Sequence, residues 1–182
     1  MMDFYSNGPI FVKISPNIYL GNSLECKILE QSNSGNWAFL HCTKTYHKKM
    51  LGYSRSLDKN NPHYLFFKSK NEAALNLVDM DYKDDLFFEA TKVAFEQAFA
   101  FLDEQLEKGK KVFIHCDQGT SRGPSVAMLY LARNGKYQYA DFETTTEIFK
   151  KTYPKYNKNP NKQIYVMIKS FWNHFVKKPQ TK

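Results

Sequence analysis

One short segment of this chain carries the residue types for nucleophilic chemistry on an anion: His115-Cys116-Asp117-Gln118-Gly119-Thr120-Ser121-Arg122. A cysteine and an arginine stand with five residues between them, after the apolar run Val112-Phe113-Ile114 and before an apolar stretch that begins at Pro124. A loop this short, curled round an oxyanion, turns successive backbone N–H groups inward. A helix that follows it adds free N–H groups and a positive end. Gly119 allows a backbone turn that a Cβ would hinder. Arg122 can fold back and hold two oxygens with its planar fork, which lysine cannot reproduce. The same positive field favours the thiolate of Cys116, the nucleophilic form of a thiol. The chemistry open to this set is attack by sulfur on a phosphoryl group held by Asp117, Gln118, Gly119, Thr120, Ser121 and Arg122. Most free cysteines are inert buried thiols. Here His115, Gly119, Ser121 and Arg122 fall in register with the cysteine, which a structural thiol would not require.

Such a loop must be positioned by a strand before it and a helix after it. Val112-Phe113-Ile114 reads as a short buried strand, and Pro124 to Arg133, apolar nearly all round with Gly135 beyond its end, as a central helix. Phe11 to Ile14 and Ile18 to Leu20, separated by Ser15-Pro16-Asn17, read as a hairpin or two successive strands. Trp37 to Cys42 reads as a buried strand, and Tyr64 to Phe67 and Ala74 to Val78 as further strands, the first at an edge. Tyr46 to Pro62, with its lysines, Gly52 and paired asparagines, reads as an irregular excursion. From Leu86 the period becomes helical, with Phe88, Thr91, Phe95, Phe99, Leu102 and Leu106 on one face and Gly109 at the stop. Asp141 to Lys151 and Gln163 to Val176 give two more amphipathic helices. Strands early and helices late predict an α/β domain: a central mixed, largely parallel sheet flanked by helices, with the reactive loop at a strand's carboxyl end.

Composition sets wider bounds. A chain of 182 residues suits one domain, and 42% apolar residues with 12 Tyr and 15 Phe are those of an ordered globular protein. The formal charge of +8 attracts phosphorylated substrates, nucleic acid or anionic membrane alike, and the lysines are scattered rather than gathered into a tail. Three cysteines, Cys26, Cys42 and Cys116, are too few and odd in number for a secreted disulfide framework. A reducing, cytoplasmic setting is the expectation, with export by a signal-less route left open. No segment approaches about 18 uninterrupted apolar residues, so no membrane span is expected.

The loop resembles the phosphate-binding loop of the protein tyrosine phosphatase superfamily, His-Cys-two residues-Gly-two residues-Arg, and is most similar to the compact dual-specificity branch. Ile18-Tyr19-Leu20-Gly21-Asn22, the helix from Leu86 to Leu106 and Pro160-Asn161 extend the likeness over about Ile14 to Phe171. Gly52-Tyr53, Leu75 to Asp79, Gln118-Gly119 and Tyr153-Pro154 to Tyr156-Asn157 are similar to bacterial and phage members. The resemblance implies a phosphatase that hydrolyses phosphotyrosine, with phosphoserine and phosphothreonine as further substrates, through a cysteinyl-phosphate and without metal or other cofactor. It implies a phosphorylated protein or small phosphomonoester as partner and no obligate nucleic acid, and leaves the oligomeric state open. Two other readings stay open: a phosphatase of a nucleotide, an RNA 5′ end or a small metabolite, and a weakly active phosphate-binding pseudo-phosphatase. The large tyrosine-specific enzymes are excluded by length and by the lack of a Trp-Pro-Asp loop.

The resemblance also implies an aspartate that protonates the departing oxygen, on the loop after the strand that precedes the long helix. Asp79, in Leu-Asn-Leu-Val-Asp, is the first choice; Asp81 shares its face if the strand slides by two residues. Asp84 and Asp85 suit the N-terminus of the helix. Relatives carry Ser or Thr after the arginine to stabilise the leaving thiolate, where this chain has Gly123; Ser125 or Ser121 could substitute, or breakdown of the intermediate is slow. Asp117 replaces the basic residues that phosphoinositide phosphatases use, which argues against inositol lipids. His115 is expected to support the loop. Asn22 either braces it or is a strand-end turn residue. Cys42 is either a core thiol or, as in some relatives, a disulfide partner of the nucleophile. His41, His47, His63 and His174 have no metal spacing along the chain.

Overall fold

A computed structural model describes residues 11–32, 35–83 and 88–178. Its strands are β1 (Val12–Ser15), β2 (Ile18–Asn22), β3 (Trp37–His41), β4 (Phe66–Lys68), β5 (Glu72–Leu75) and β6 (Lys111–Cys116), in the sheet order β1-β2-β6-β3-β5-β4. The four inner strands run parallel, and the two edges, β1 on β2 and β4 on β5, are antiparallel. This is the mixed, largely parallel sheet the sequence predicts. The first two strands form a hairpin whose turn places Asn17 at φ 58°, a conformation asparagine tolerates.

β6 lies at the centre, with β2 and β3 as its neighbours. Alternation along it splits the core in two. Val112, Ile114 and Cys116 face the larger cluster, and Phe113 faces a smaller one with Cys26, Leu29, Phe39 and Tyr46. The larger cluster is closed by α3 (Phe88–Glu107), α4 (Arg122–Arg133), α5 (Phe142–Thr152) and α6 (Gln163–Phe175). In α4 every residue from Arg122 to Ala132 is buried, as its all-round apolar sequence requires.

Two helices on the smaller face depart from the sequence reading. No element was expected over 23–31, yet α1 (Ser23–Gln31) forms there. Asn22 accepts from the amides of Leu24 and Glu25 while Glu25 accepts from the Asn22 amide at 2.7 Å, a reciprocal capping box. The second, α2 (Lys44–Leu51), corrects the irregular excursion expected from Tyr46: Thr43 caps its start and Gly52, at φ 74°, ends it. The paired strands β4 and β5 sit two or so residues away from the expected Tyr64–Phe67 and Ala74–Val78, because Leu77-Val78 continues as loop. Asp84, Asp85 and the first two residues expected for the long helix, Leu86 and Phe87, lie outside the described residues.

Candidate active site

The segment from Cys116 to Arg122 joins the carboxyl end of β6 to the first turn of α4. Neighbours fix its shape. Gly119 has φ 70°, and a Cβ there would stand 2.7 Å from the Gly21 carbonyl oxygen, so both conformation and packing demand glycine. The Tyr153 hydroxyl donates to the Gly119 carbonyl at 2.7 Å, and the Asn157 amide to the Thr120 carbonyl at 2.7 Å. From the start of α1, the Ser23 amide donates to the Asp117 carbonyl at 3.3 Å, and the Ser23 hydroxyl to the Cys116 carbonyl at 3.4 Å. Ser23, Tyr153 and Asn157 are therefore the braces, and the sequence reading assigned none of them that task. Tyr153-Pro154 to Asn157 was visible as a motif without a mechanism; Ser23 carried no signal.

Arg122 is only 5% exposed, and each of its two terminal nitrogens has a hydrogen-bond partner. Nη1 donates to the Leu77 carbonyl at 3.0 Å and Nη2 to Asp117 Oδ2 at 2.9 Å, with Asp79 Oδ2 at 4.0 Å. Nε is buried with no hydrogen-bond partner. The Leu77 carbonyl also accepts from the Lys44 amide at 3.0 Å, tying α2 to the same point. Asp117, expected to lend only its amide, turns its carboxylate onto Arg122 and takes the Thr43 hydroxyl at 2.9 Å on both oxygens.

The two candidate acids differ in place. Asp79 bridges Arg122 and Lys162, whose ammonium lies 3.5 Å from it. Asp81 is more exposed, bonds Lys162 at 3.3 Å and forms a backbone bridge with it. These carboxylates hold the lysine's proton more firmly, Asp81 contributing most. The amide of Tyr82 donates to the Asn161 carbonyl and that of Gln163 to the Met80 carbonyl, so the acidic loop is clipped to the segment before α6. That gives Pro160-Asn161 its structural role.

His115 is buried on the other face of the sheet. Its Nε2 lies 2.6 Å from His41 Nδ1 and its Nδ1 3.4 Å from the Cys116 carbonyl. Burial, then the neighbouring His41 and Arg122, push it well towards the neutral ring. Cys42 is fully buried beside Cys116; burial pushes its thiol up, and Cys116 adds to this. All three cysteines are free thiols.

Gly123 has a steric reason. A Cβ there would lie 2.9 Å from the His115 carbonyl carbon and 3.1 Å from the Cys116 nitrogen, so α4 approaches the strand too closely for Ser or Thr. Ser125 bonds the Tyr156 hydroxyl at 3.2 Å, while Ser121 is buried at the start of α4. The Asn22 side chain is spent on the cap of α1, and only its backbone adjoins the loop.

A buried thiol at the carboxyl end of the central strand thus shares one strand–loop–helix unit with a buried arginine whose Nε has no partner, on a mixed, largely parallel sheet. Residues 19–169 match the family described as "Dual specificity phosphatase, catalytic domain", and the chain belongs to that family. Human dual specificity protein phosphatase 5 is 41% identical over 44 residues, 24% of this chain but only 12% of the relative's length; the rat protein is 39% identical over the same length. The fold is similar to that of a leucine-rich repeat and phosphatase domain protein from Entamoeba histolytica, with TM-score 0.60, 15% identity, and 90% and 91% of the two chains covered. It is equally similar to human DUSP28, with TM-score 0.60, 14% identity and coverage of 92% and 95%.

Proposed function

We propose that this chain is a cysteine-dependent phosphatase that hydrolyses phosphate monoesters, phosphotyrosine foremost, with phosphoserine and phosphothreonine as further protein substrates. Cys116 sulfur attacks phosphorus; the P–O bond to the leaving group breaks, and that oxygen takes a proton from Asp79, with Asp81 as the alternative. Water then attacks the cysteinyl-phosphate, the S–P bond breaks, and the aspartate takes the water's proton. The amides of Asp117 to Ser121 and the Arg122 fork hold the equatorial oxygens through both steps. His115 orients the nucleophile's peptide. Three free thiols suit a reducing, cytoplasmic setting, and among the described residues no helix is long and apolar enough to cross a membrane.

The observation that carries this reading is Arg122 Nε, buried beside the loop without a partner. An unsatisfied buried donor is costly unless a ligand completes it, and a phosphate oxygen would. The test is turnover of an aryl phosphate by Cys116→Ser. Loss of turnover with retained binding of inorganic phosphate is the expected result; wild-type turnover would refute the role of Cys116.

A further inference from the structure

The acidic loop after β5 is pinned at two points and carries its candidate acid between them. At one end the Leu77 carbonyl accepts from Arg122 Nη1 and from the Lys44 amide, each at 3.0 Å. At the other end the Gln163 amide donates to the Met80 carbonyl at 3.0 Å and the Tyr82 amide to the Asn161 carbonyl at 2.7 Å, which pairs Asp81 with Lys162 in an antiparallel bridge. Asp79 lies in the span between, next to Val78, which is 49% exposed. Among the described residues its carboxylate meets two cations, Lys162 Nζ at 3.5 Å and Arg122 Nη2 at 4.0 Å. Arg122 Nη2 already serves the Asp117 carboxylate at 2.9 Å, so the nearer cation, Lys162, is the one that holds Asp79.

We propose that Lys162 is a positioning residue for the phosphatase reaction, holding the Asp79 carboxyl beside Arg122 and receiving its negative charge once the proton has gone to the leaving oxygen. The inference rests on the phosphatase reading with Asp79 as the acid. The backbone of Lys162 suits it to the task. It directly precedes α6, its amide donates to the Asn159 carbonyl at 3.1 Å, and its carbonyl accepts from the amides of Tyr165 and Val166 at 3.0 and 3.2 Å. Ile164, Met167 and Ile168 anchor α6 in the larger core cluster. A side chain on so fixed a base can set the place of an acid that rides on an exposed loop. Asp81 lies 3.3 Å from the same ammonium; Asp81 first, then Asp79, hold its proton more firmly. The link to Asp81 is also a backbone one, so the ammonium keeps its place while Asp79 is neutral.

Asp79 enters the first step as the neutral acid. Its O–H bond breaks together with the P–O bond to the leaving group, the proton ends on the departing oxygen, and the new carboxylate faces Lys162. In the second step that carboxylate takes the proton of the attacking water. The ammonium stays charged throughout and neither gives nor accepts a proton. Both side chains are partly exposed, at 29% for Lys162 and 35% for Asp79, so the attraction is screened and the effect on rate is modest.

The test is kcat/KM, which reports the steps up to loss of the leaving group, on aryl phosphates of rising leaving-group basicity for wild type, Lys162→Met and Lys162→Arg. A basic leaving oxygen needs the acid and a weakly basic one does not. Lys162→Met should therefore lower the value for phenyl phosphate at least about fivefold more than that for a dinitrophenyl phosphate. Lys162→Arg, which keeps the charge, should recover most of the difference. On an Asp79→Asn background, Lys162→Met should have no selective effect. A fall that is uniform across the series, no recovery by arginine, or the same selective loss in the Asp79→Asn protein would overturn the proposal. Wild-type turnover of the dinitrophenyl ester reports the phosphatase reading by itself. Where that turnover is present, a missing selective effect is the failure of Lys162 alone; where it is absent, both readings fall.

Discussion

Arg122 is neutralised from within its own loop, because the Asp117 carboxylate occupies Nη2 at 2.9 Å. An incoming phosphate must displace that carboxylate and then meets its repulsion. Asp117 is partly exposed, with 41% of its side chain open to solvent, so the competition is screened and amounts to about 1 kcal/mol at most. Asp117→Asn should therefore tighten inorganic phosphate by up to roughly fivefold, measured by calorimetry on the Cys116→Ser background. Unchanged or weaker binding would show that Asp117 does not compete. Asp79 is the second residue with a sharp expectation, since it alone of the two candidate acids approaches Arg122. Removing a general acid costs about 10²–10⁴-fold in rate, and the cost grows with the leaving group's basicity. In a series of aryl phosphates, Asp79→Asn should steepen the dependence of rate on leaving-group pKa, and Asp81→Asn should not. The reverse pattern would transfer the role. The placing of Cys116, Gly119 and Arg122 on one strand–loop–helix unit was legible in the sequence, because the apolar runs on either side bracket the loop. The Asp117–Arg122 ion pair was not legible, because the Thr43 hydroxyl that helps to turn the Asp117 carboxylate arrives from another part of the chain.

The elements around the loop are held by close backbone approach, and that is where Gly123 belongs. The hydroxyl that relatives place after the arginine has no room here, since a Cβ would sit 2.9 Å from the His115 carbonyl carbon. Gly123→Ser should thus fail to speed breakdown of the intermediate. It should lower stability by about 1–3 kcal/mol through forced separation of α4 and β6, seen as a lower denaturant midpoint. A faster enzyme of unchanged stability would contradict this packing account. The same elements show what pattern reading can reach. Long α3 and buried α4 announced themselves by period and by apolar content. α1 and α2 did not, because Ser23 to Gln31 and Lys44 to Leu51 carry exposed apolar and charged residues mixed, Leu24 and Ile28 among them. Their caps, Asn22 with Glu25 and Thr43 with Gly52, were the available signals. Tyr153 and Asn157 stood out as part of a motif, but that they brace the loop was not legible, because they lie 34 and 37 residues further on in the chain.

At the scale of the whole molecule, burial of neutral histidines ties stability to pH. His47 is buried, its Nε2 donating to the His63 carbonyl at 2.8 Å and its Nδ1 paired with the Tyr53 hydroxyl at 2.9 Å, so the ring staples α2 to the following loop. Burial lowers its pKa from the ordinary value. As pH falls, the unfolded chain takes up this proton first, near pH 6.5. The stabilisation is therefore complete above about pH 6.5 and is lost progressively below it, towards the folded pKa. Buried His41 and His115 push the same way. Melting temperature should fall between pH 7.5 and 5.5, and His47→Gln should flatten the fall; a flat wild-type profile would contradict the neutral-ring assignment. The central claim, that Cys116 sulfur carries the phosphoryl group, is tested most directly by trapping it. Protein quenched in acid during turnover of a reactive aryl phosphate, then digested and analysed by mass spectrometry, should carry one phosphoryl group on the peptide containing Cys116. A phosphoryl group on Cys26, Cys42 or a histidine, or turnover with an intermediate on no residue, would contradict the account.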